Sequence, residues 1–319
     1  MTKGRGKGDG LYLGIEIGGT KLQVCVGDGR AQILERLAFT VEKEAGADGI
    51  RRQLQRTIPD LARRIEPAGI GVGFGGPVDW KTGRICRSHQ IEGWSEFPLA
   101  SWLCELANAP VWVDNDADVG ALGEALHGAG KACAIVFYMT LGSGVGGGLV
   151  TDGRIFHGAK PGEAEIGHIR LNRSGTILEK RCSGWAVDAR IRAAIAQHPE
   201  SALAKCVGNA TANEAKFLAA ALAANDPSAQ EILNETADDL AFGLSHVTHL
   251  FHPEMIVLGG GLSLTGEPIR EAVERALRGY VMDAFAPGPK IALARLRKDA
   301  VPVGALSLTH SLDNKGNPI

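Results

Sequence analysis

Two stretches of this chain place an apolar run, a glycine-rich turn and a second apolar run in succession: "LYLGIEIGGTKLQVCVGDG" from Leu11 and "AIVFYMTLGSGVGGGLVTDG" from Ala134. Apolar runs broken by glycine predict two strands joined as a hairpin, with room for a ligand to approach the backbone. The two recur too far apart for a repeat array, whose period is roughly 20–50 residues, and so predict two related halves. Between them, "GIRRQLQRTIPDLARRIEP" has helical spacing, "AGIGVGFGGPVD" reads as a buried strand and loop, and "LASWLCELANAPVWVDN" as a helix running into a strand. After the second hairpin, "NEAKFLAAALAAND", "AQEILNETADDLAFGLSHVTHLFHP" and "EPIREAVERALRGYV" predict helices, and "PEMIVLGGGLS" a strand ending in glycines. This alternation predicts an α/β protein. The boundary between halves falls near residues 116–125 without a Pro/Ser-rich linker, so packed halves with a cleft between them are expected.

Composition narrows this picture. The 319 residues, 45% hydrophobic, suffice for two core-forming domains, and a net charge of −2 without a basic-aromatic cluster gives a nucleic acid no electrostatic footprint. Six scattered cysteines with no CxxC, and no signal peptide at the N-terminus, predict a reducing, cytoplasmic setting. The uncharged run from Ala132 approaches membrane-spanning length, but glycines break its second half, so a soluble protein is expected.

Strand "PVWV" runs into Asp114, Asp116 and Asp118. Their alternate spacing matches the opening of an EF-hand loop, but Val119 stands at the sixth position and Ala125 at the twelfth, and the flanking element is a strand. Calcium is thus disfavoured. Asp116 can instead cap a helix beginning near Ala117, with Asp118 in its first turn. It can equally serve as a carboxylate at a strand's carboxyl end, facing the cleft.

Glycine turns supply the second candidate chemistry. Gly18-Gly19-Thr20-Lys21 offers backbone N–H groups, a hydroxyl and a positive charge to phosphate oxygens. One such loop is weak grounds for phosphate binding; two in matching contexts, with a third cluster at Gly259–Gly261, suit a nucleotide. No Walker GxxxxGK[ST] is present, and neither hairpin turn opens a helix as a Rossmann loop does.

Taken in order and spacing, "GIEIGGTK", "GFGGPVD", "VDNDADVGALGE", "TLGSGVGGGLVTDGRIFHGAKPGEAEIGH" and "PEMIVLGGGLS" resemble the ROK family of sugar kinases and sugar-responsive repressors, from about residue 11 to about residue 306. The resemblance implies the two-lobed actin-like (ribonuclease H-like), hexokinase-type ATPase fold with a central cleft. It implies a leader over 1–10, an N-terminal lobe over 11–118 rejoined by a C-terminal helix over 301–314, and a C-terminal lobe over 119–300 on the nucleotide and oligomer side. The implied reaction is transfer of the ATP γ-phosphoryl group, with Mg²⁺, to a hydroxyl of a hexose or N-acylhexosamine. By position, Asp116 matches the catalytic base, and Asn115, Gly76, Glu165 and His168 the sugar site. Gly18, Gly19, Thr20 and Lys21, with Gly142, Ser143 and Gly144, match the phosphate loops, and Gly260 and Gly261 the adenosine site. Phosphoryl transfer has a loose transition state, so positioning and charge neutralisation dominate and a strong base is unnecessary. Family members are usually dimers or tetramers, so a homo-oligomer is implied.

The chain departs from the family in places. A cysteine-rich zinc element commonly follows the GH of "EIGH"; here the sequence is "GHIRLNRSGTILEKRCSGWAV", with Cys182 alone. Four donors make a structural zinc site, so no zinc is expected. If "ILE" is the remnant of the closing segment, Glu179 matches a third sugar-binding acid; otherwise it is a surface residue beside Lys180 and Arg181. Glu16 stands where aspartate usually contacts Mg²⁺ through water, and His89 or Gln90 occupies the place of a sugar-touching asparagine. His246, His249 and His252 have helical spacing but no acids spaced with them, and read as one helix face rather than a metal site. The ten residues before Leu11 are too few for the DNA-binding domain of a repressor. A silent sugar-binding regulator and a kinase using polyphosphate remain as alternatives.

Overall fold

The computed structural model describes residues 10–86, 92–160, 162 and 164–310. In chain order the strands and helices are β1 Leu11–Ile17, β2 Lys21–Asp28, β3 Ile33–Thr40, α1 Gly46–Ile65, β4 Ile70–Phe74, β5 Val78–Asp79, β6 Arg84–Ile85, α2 Leu99–Ala107, β7 Val111–Asn115 and α3 Asp116–His127. There follow β8 Ile135–Leu141, β9 Val145–Thr151, β10 Arg154–Ile155, α4 Glu179–Cys182, α5 Gly184–Gln197, α6 Ala202–Val207, α7 Leu218–Ala223, α8 Pro227–Phe251, β11 Met255–Gly259, α9 Glu267–Leu277, β12 Lys290–Leu293 and α10 Ala300–Leu308. The sheet orders are β3-β2-β1-β4-β7 and β10-β9-β8-β11-β12. Both follow one plan, in which sequential hairpin strands continue into parallel strands, so the repeated strand-glycine-strand pattern marks related halves.

By contact the chain divides into two units, one of Met1–Lys131, Gly148–Glu163 and Lys298–Ile319, the other of Ala132–Gly147 and Ala164–Arg297. In the first, Leu13, Ile15 and Ile17 alternate along β1 and, with Ile70, Val72 and Phe74 of β4, are buried in one core with Ile50, Leu54 and Ile58 of α1. The pleat sends the intervening positions to the other face, against α10. That approach is close enough to require glycine: a Cβ on Gly71 would lie 1.8 Å from Ala305 O, and one on Gly304 1.8 Å from Val119 O of α3. All of α3 therefore belongs with the first unit, through its packing on α10 and β4.

In the second unit β8, β11 and β12 are parallel, with Gly259 of β11 in register with Thr140 of β8. Long helix α8 packs against α9, α5 and α4. Asp226 begins it, Oδ1 accepting from Ala229 N at 2.9 Å while Oδ2 accepts from Leu203 N of α6 at 2.8 Å. No helix among the described residues is long and apolar enough to cross a membrane.

Candidate functional site

Three parallel strands of the first unit end together. Ile17, Phe74 and Asn115, the last residues of β1, β4 and β7, are in register, so the loops that follow them emerge side by side. Carboxyl ends of parallel strands are where α/β sheets collect ligand-binding groups. Gly75 N donates to Ile17 O at 2.8 Å. A Cβ built on Gly75 would lie 3.4 Å from Asp116 Oδ2 and 3.5 Å from Gly18 Cα, so the Asp116 carboxylate is placed beside the first glycine turn. That turn is closed by Gly18 N donating to Lys21 O at 2.8 Å.

The expected helix cap shifts by one residue. Asn115, extended at φ −62° and ψ 144°, is the cap, its Oδ1 accepting from Ala117 N at 2.8 Å and Asp118 N at 3.4 Å. Asp116 is the first helical residue, because only a residue still extended can turn its side chain back over the helix start. The Asn115 amide also donates to Gly76 O at 3.1 Å, which brings Gly76 into the same cluster. The three acids of the calcium spelling fall on different elements: Asp114 is the penultimate residue of β7, Asp116 and Asp118 lie in the first turn of α3, and Glu124 accepts from Ala129 N at 2.8 Å at the far end of that helix.

Glu16 and Lys21 are joined, Nζ to Oε2 at 2.9 Å, and Gln23 also donates to Glu16. Gln23 Oε1 in turn accepts from Arg36 Nη1 at 2.6 Å, and Arg36 Nη2 pairs with Asp299 Oδ1 at 2.5 Å. Glu16 is thus bound within a side-chain chain running along the sheet. Sequence reasoning missed Gln23 and Arg36; the available signal was a glutamine inside the apolar run "KLQVCV". It also missed His157, whose Nε2 lies 2.6 Å from Asp114 Oδ2 and whose ring stacks on Trp80 with centroids 4.1 Å apart. Nothing local to "RIFHG" announces that partner, which lies 43 residues away.

In the second unit the turn between β8 and β9 is closed by Gly142 N donating to Gly144 O at 3.0 Å. Glu179, first residue of α4, reaches it: Oε2 accepts from Val145 N at 2.9 Å, and a Cβ on Gly144 would lie 2.4 Å from the same oxygen. Gly184 N, at the start of α5, donates to Gly142 O at 2.7 Å. Glu165 precedes and His168 ends a 3₁₀ turn over Ile166–His168; both are exposed, three residues apart and so on one side of it. The turn sits directly on β9, since a Cβ on Gly167 would lie 2.2 Å from Val145 O. Gly260, at φ +79°, follows β11, and a Cβ there would lie 2.5 Å from the Leu141 backbone. Gly142, Gly144, Glu165, His168, Glu179 and Gly260 therefore cluster in this unit, while Gly261 opens a 3₁₀ turn beside them with open space before it.

The remaining candidates resolve differently. Where the zinc element would stand, Arg170 bridges Ile177 and Asn172 Oδ1 accepts from Thr176 N at 3.1 Å, making a small self-capped turn. Cys182 is buried against Thr236 O, and burial pushes its thiol far up. Among the described residues no three His, Cys, Asp or Glu side chains gather as a metal site. Of the three histidines, His246 and His249 lie in α8 while His252 is its left-handed cap at φ 44°, so the helix face expected of all three holds only two; His249 Nε2 accepts from Met282 N at 3.2 Å, and His252 stacks on Phe285 at 3.9 Å. His89 and Gln90 lie outside the described residues, as do residues 311–314 of the expected C-terminal helix.

Comparison with known proteins places this geometry. The chain is 31% identical to a glucokinase of Halalkalibacterium halodurans, covering 97% of this chain and 98% of that protein. It is 28% identical to a glucokinase of Thermotoga maritima, covering 93% and 96%. Among solved structures, a ROK family glucokinase from Streptomyces griseus in complex with glucose and AMPPNP superposes with a TM-score of 0.82 at 29% identity, covering 94% of this chain and 99% of that one. The two-unit α/β architecture is the actin-like one, and residues 12–311 match the profile of the ROK family, to which this chain belongs.

Proposed function

We propose that this chain is a sugar kinase that transfers the γ-phosphoryl group of ATP to a hydroxyl of glucose or a closely similar hexose. The observation that carries this reading is the placement of Asp116 at the start of α3, beside Gly75 and Gly18 of the first glycine turn. A carboxylate there can accept the sugar hydroxyl's proton as the phosphorus–oxygen bond forms, when that hydroxyl has become acidic. Likeness to the glucokinases over nearly the whole chain supports the acceptor class.

Asn115 has one amide hydrogen on Gly76 O, and its second is suited to a sugar hydroxyl. Glu165, His168 and Glu179 supply the remaining polar groups for the sugar; Gly18 to Lys21, Gly142 to Gly144, Gly260 and Gly261 supply backbone for the nucleotide. Mg²⁺ fits as a nucleotide-borne ion, since it commonly binds through phosphates, waters and one or two carboxylates; its charge would neutralise the phosphates. Glu16, held by Lys21 and Gln23, is the carboxylate nearest in sequence to the first turn. ATP use and six free thiols suit a cytoplasmic setting, and a homodimer or homotetramer is part of the same reading.

ADP release coupled to a panel of glucose, mannose, fructose, N-acetylglucosamine, N-acetylmannosamine and allose tests the reaction. Turnover with at least one sugar is expected, and none from folded protein overturns it. Asp116→Asn should lower kcat by about 10³-fold while leaving nucleotide binding intact, as removal of a general base does. Near-normal turnover would reject the assignment.

A further inference from the structure

A cavity of about 400 Å³ opens in the first unit at the far end of α3 from Asp116. Twelve helical residues separate the two ends, or about 18 Å at 1.5 Å per residue. Its walls come from four segments: the β2–β3 turn, the last turn of α3, the β9–β10 turn and the end of α10. Arg30 and Arg154 stand on its rim, each presented by a tight turn. Asp28 Oδ1 accepts from both Arg30 N and Gln32 N at 2.9 Å. Asp152 and Gly153 have φ +49° and +74°, the left-handed pair of a two-residue hairpin. Among the described residues, neither guanidinium has an ion-pair partner, as is also true of Arg52, Arg56 and Arg84 of the same unit, but Arg30 and Arg154 are the two that line this cavity.

Two histidines, His127 and His310, also line the cavity. His127 Nε2 lies 3.0 Å from Ser307 Oγ, and Ser307 Oγ donates to Val303 O at 2.8 Å. Ser307 therefore accepts from Nε2–H, which leaves His127 Nδ1 as the ring's second polar atom. His127 is held below its ordinary value of 6.5, first by burial and then by the positive charges of Lys131 and His310. Against this stand Asp152 and the carbonyl ends of α3 and α10, each end worth about half a charge. Asp28, in the Arg30 turn, is a second carboxylate, so the positive charge lies with the two guanidiniums rather than with the cavity as a whole. Leu126 and Ala31 supply an apolar wall.

We propose that this cavity binds a small phosphate ester, its phosphoryl group between Arg30 and Arg154 and its organic body against Leu126. Guanidinium forks match phosphate oxygens bidentately. The volume is that of a small-ligand pocket, about 300–1,000 Å³, and exceeds the need of a free phosphate ion. The cavity shares no residue with the Asp116 cluster, so the proposal stands independently of the kinase reading.

Ring resonances of His127 and His310 in the full chain report occupancy, with His127 assigned through His127→Gln. The probes are glucose 6-phosphate, inorganic phosphate and glucose. Saturable shifts of both rings with glucose 6-phosphate, weaker with phosphate and absent with glucose, are expected. The double variant R30A/R154A should weaken the ester by about tenfold or more, the worth of one charge-assisted contact. R30K/R154K, which keeps the charge without the fork, should fall between. Both arginines are exposed, so the variants should fold, and far-UV circular dichroism checks this. No saturable shift, an equal response to phosphate and ester, or undiminished binding to folded R30A/R154A would each overturn the proposal.

Discussion

Glu179 has two neighbours that make its role measurable. Its Oε2 accepts from Val145 N, and Gly144 leaves it the space to do so. Gly144→Ala would push the carboxylate off that amide, and Glu179→Gln would weaken the same bond. Each should lower kcat/KM by about tenfold, the value of one hydrogen bond to a charged group. Because both act through one contact, the double variant should be no worse than the more damaged single; additive losses would show separate roles. His127 makes a second prediction. Burial, Lys131 and His310 depress its folded value below 6.5. A depressed value means the neutral ring's contribution to stability is complete above about pH 6.5 and is lost as pH falls through the folded value. The urea midpoint of His127→Gln should therefore fall less than that of the wild type between about pH 7 and pH 5.

At the scale of elements, Asp226 ties two helices together by capping α8 and holding Leu203 N of α6. Burial raises its pKa, but backbone N–H groups of Leu203, Ala229, Ser228 and Ala202 outweigh this and leave it below 3.8. Asp226→Ala should cost about 2 kcal/mol at neutral pH, as caps of this kind do. The contribution exists above the unfolded carboxyl's range and is lost as pH falls through the folded value, so the gap to wild type should narrow towards about pH 3 in denaturant titrations. Elements were the most legible level of the sequence. The hairpins, α1, α8 and α9 followed from periodicity and glycine placement, because those signals are local. The cap of α3 was displaced from Asp116 to Asn115 because the decision rests on one backbone dihedral that composition does not encode.

Over the whole molecule, each unit buries a thiol that reports its integrity. Cys25 lies in the first unit and Cys182 in the second, both fully buried; burial pushes Cys25 up to about 11 and Cys182 further. Cys104 is exposed. Alkylation of native protein at about pH 8 should label Cys104 readily and spare Cys25 and Cys182 until their units unfold, since the thiolate is the reactive form. Rapid native labelling of either buried thiol would contradict the packing described. The sequence by itself determined the α/β class, the paired strand-glycine-strand design, the ROK resemblance and the residues of each glycine turn, because these depend on spacing along the chain. Tertiary structure decided which groups meet: Asp116 beside Gly75, Glu179 beneath Gly144, His157 on Asp114, and Arg30 with Arg154 around one cavity. Those encounters depend on strand register and on helices approaching across glycine, which bring together residues far apart in sequence.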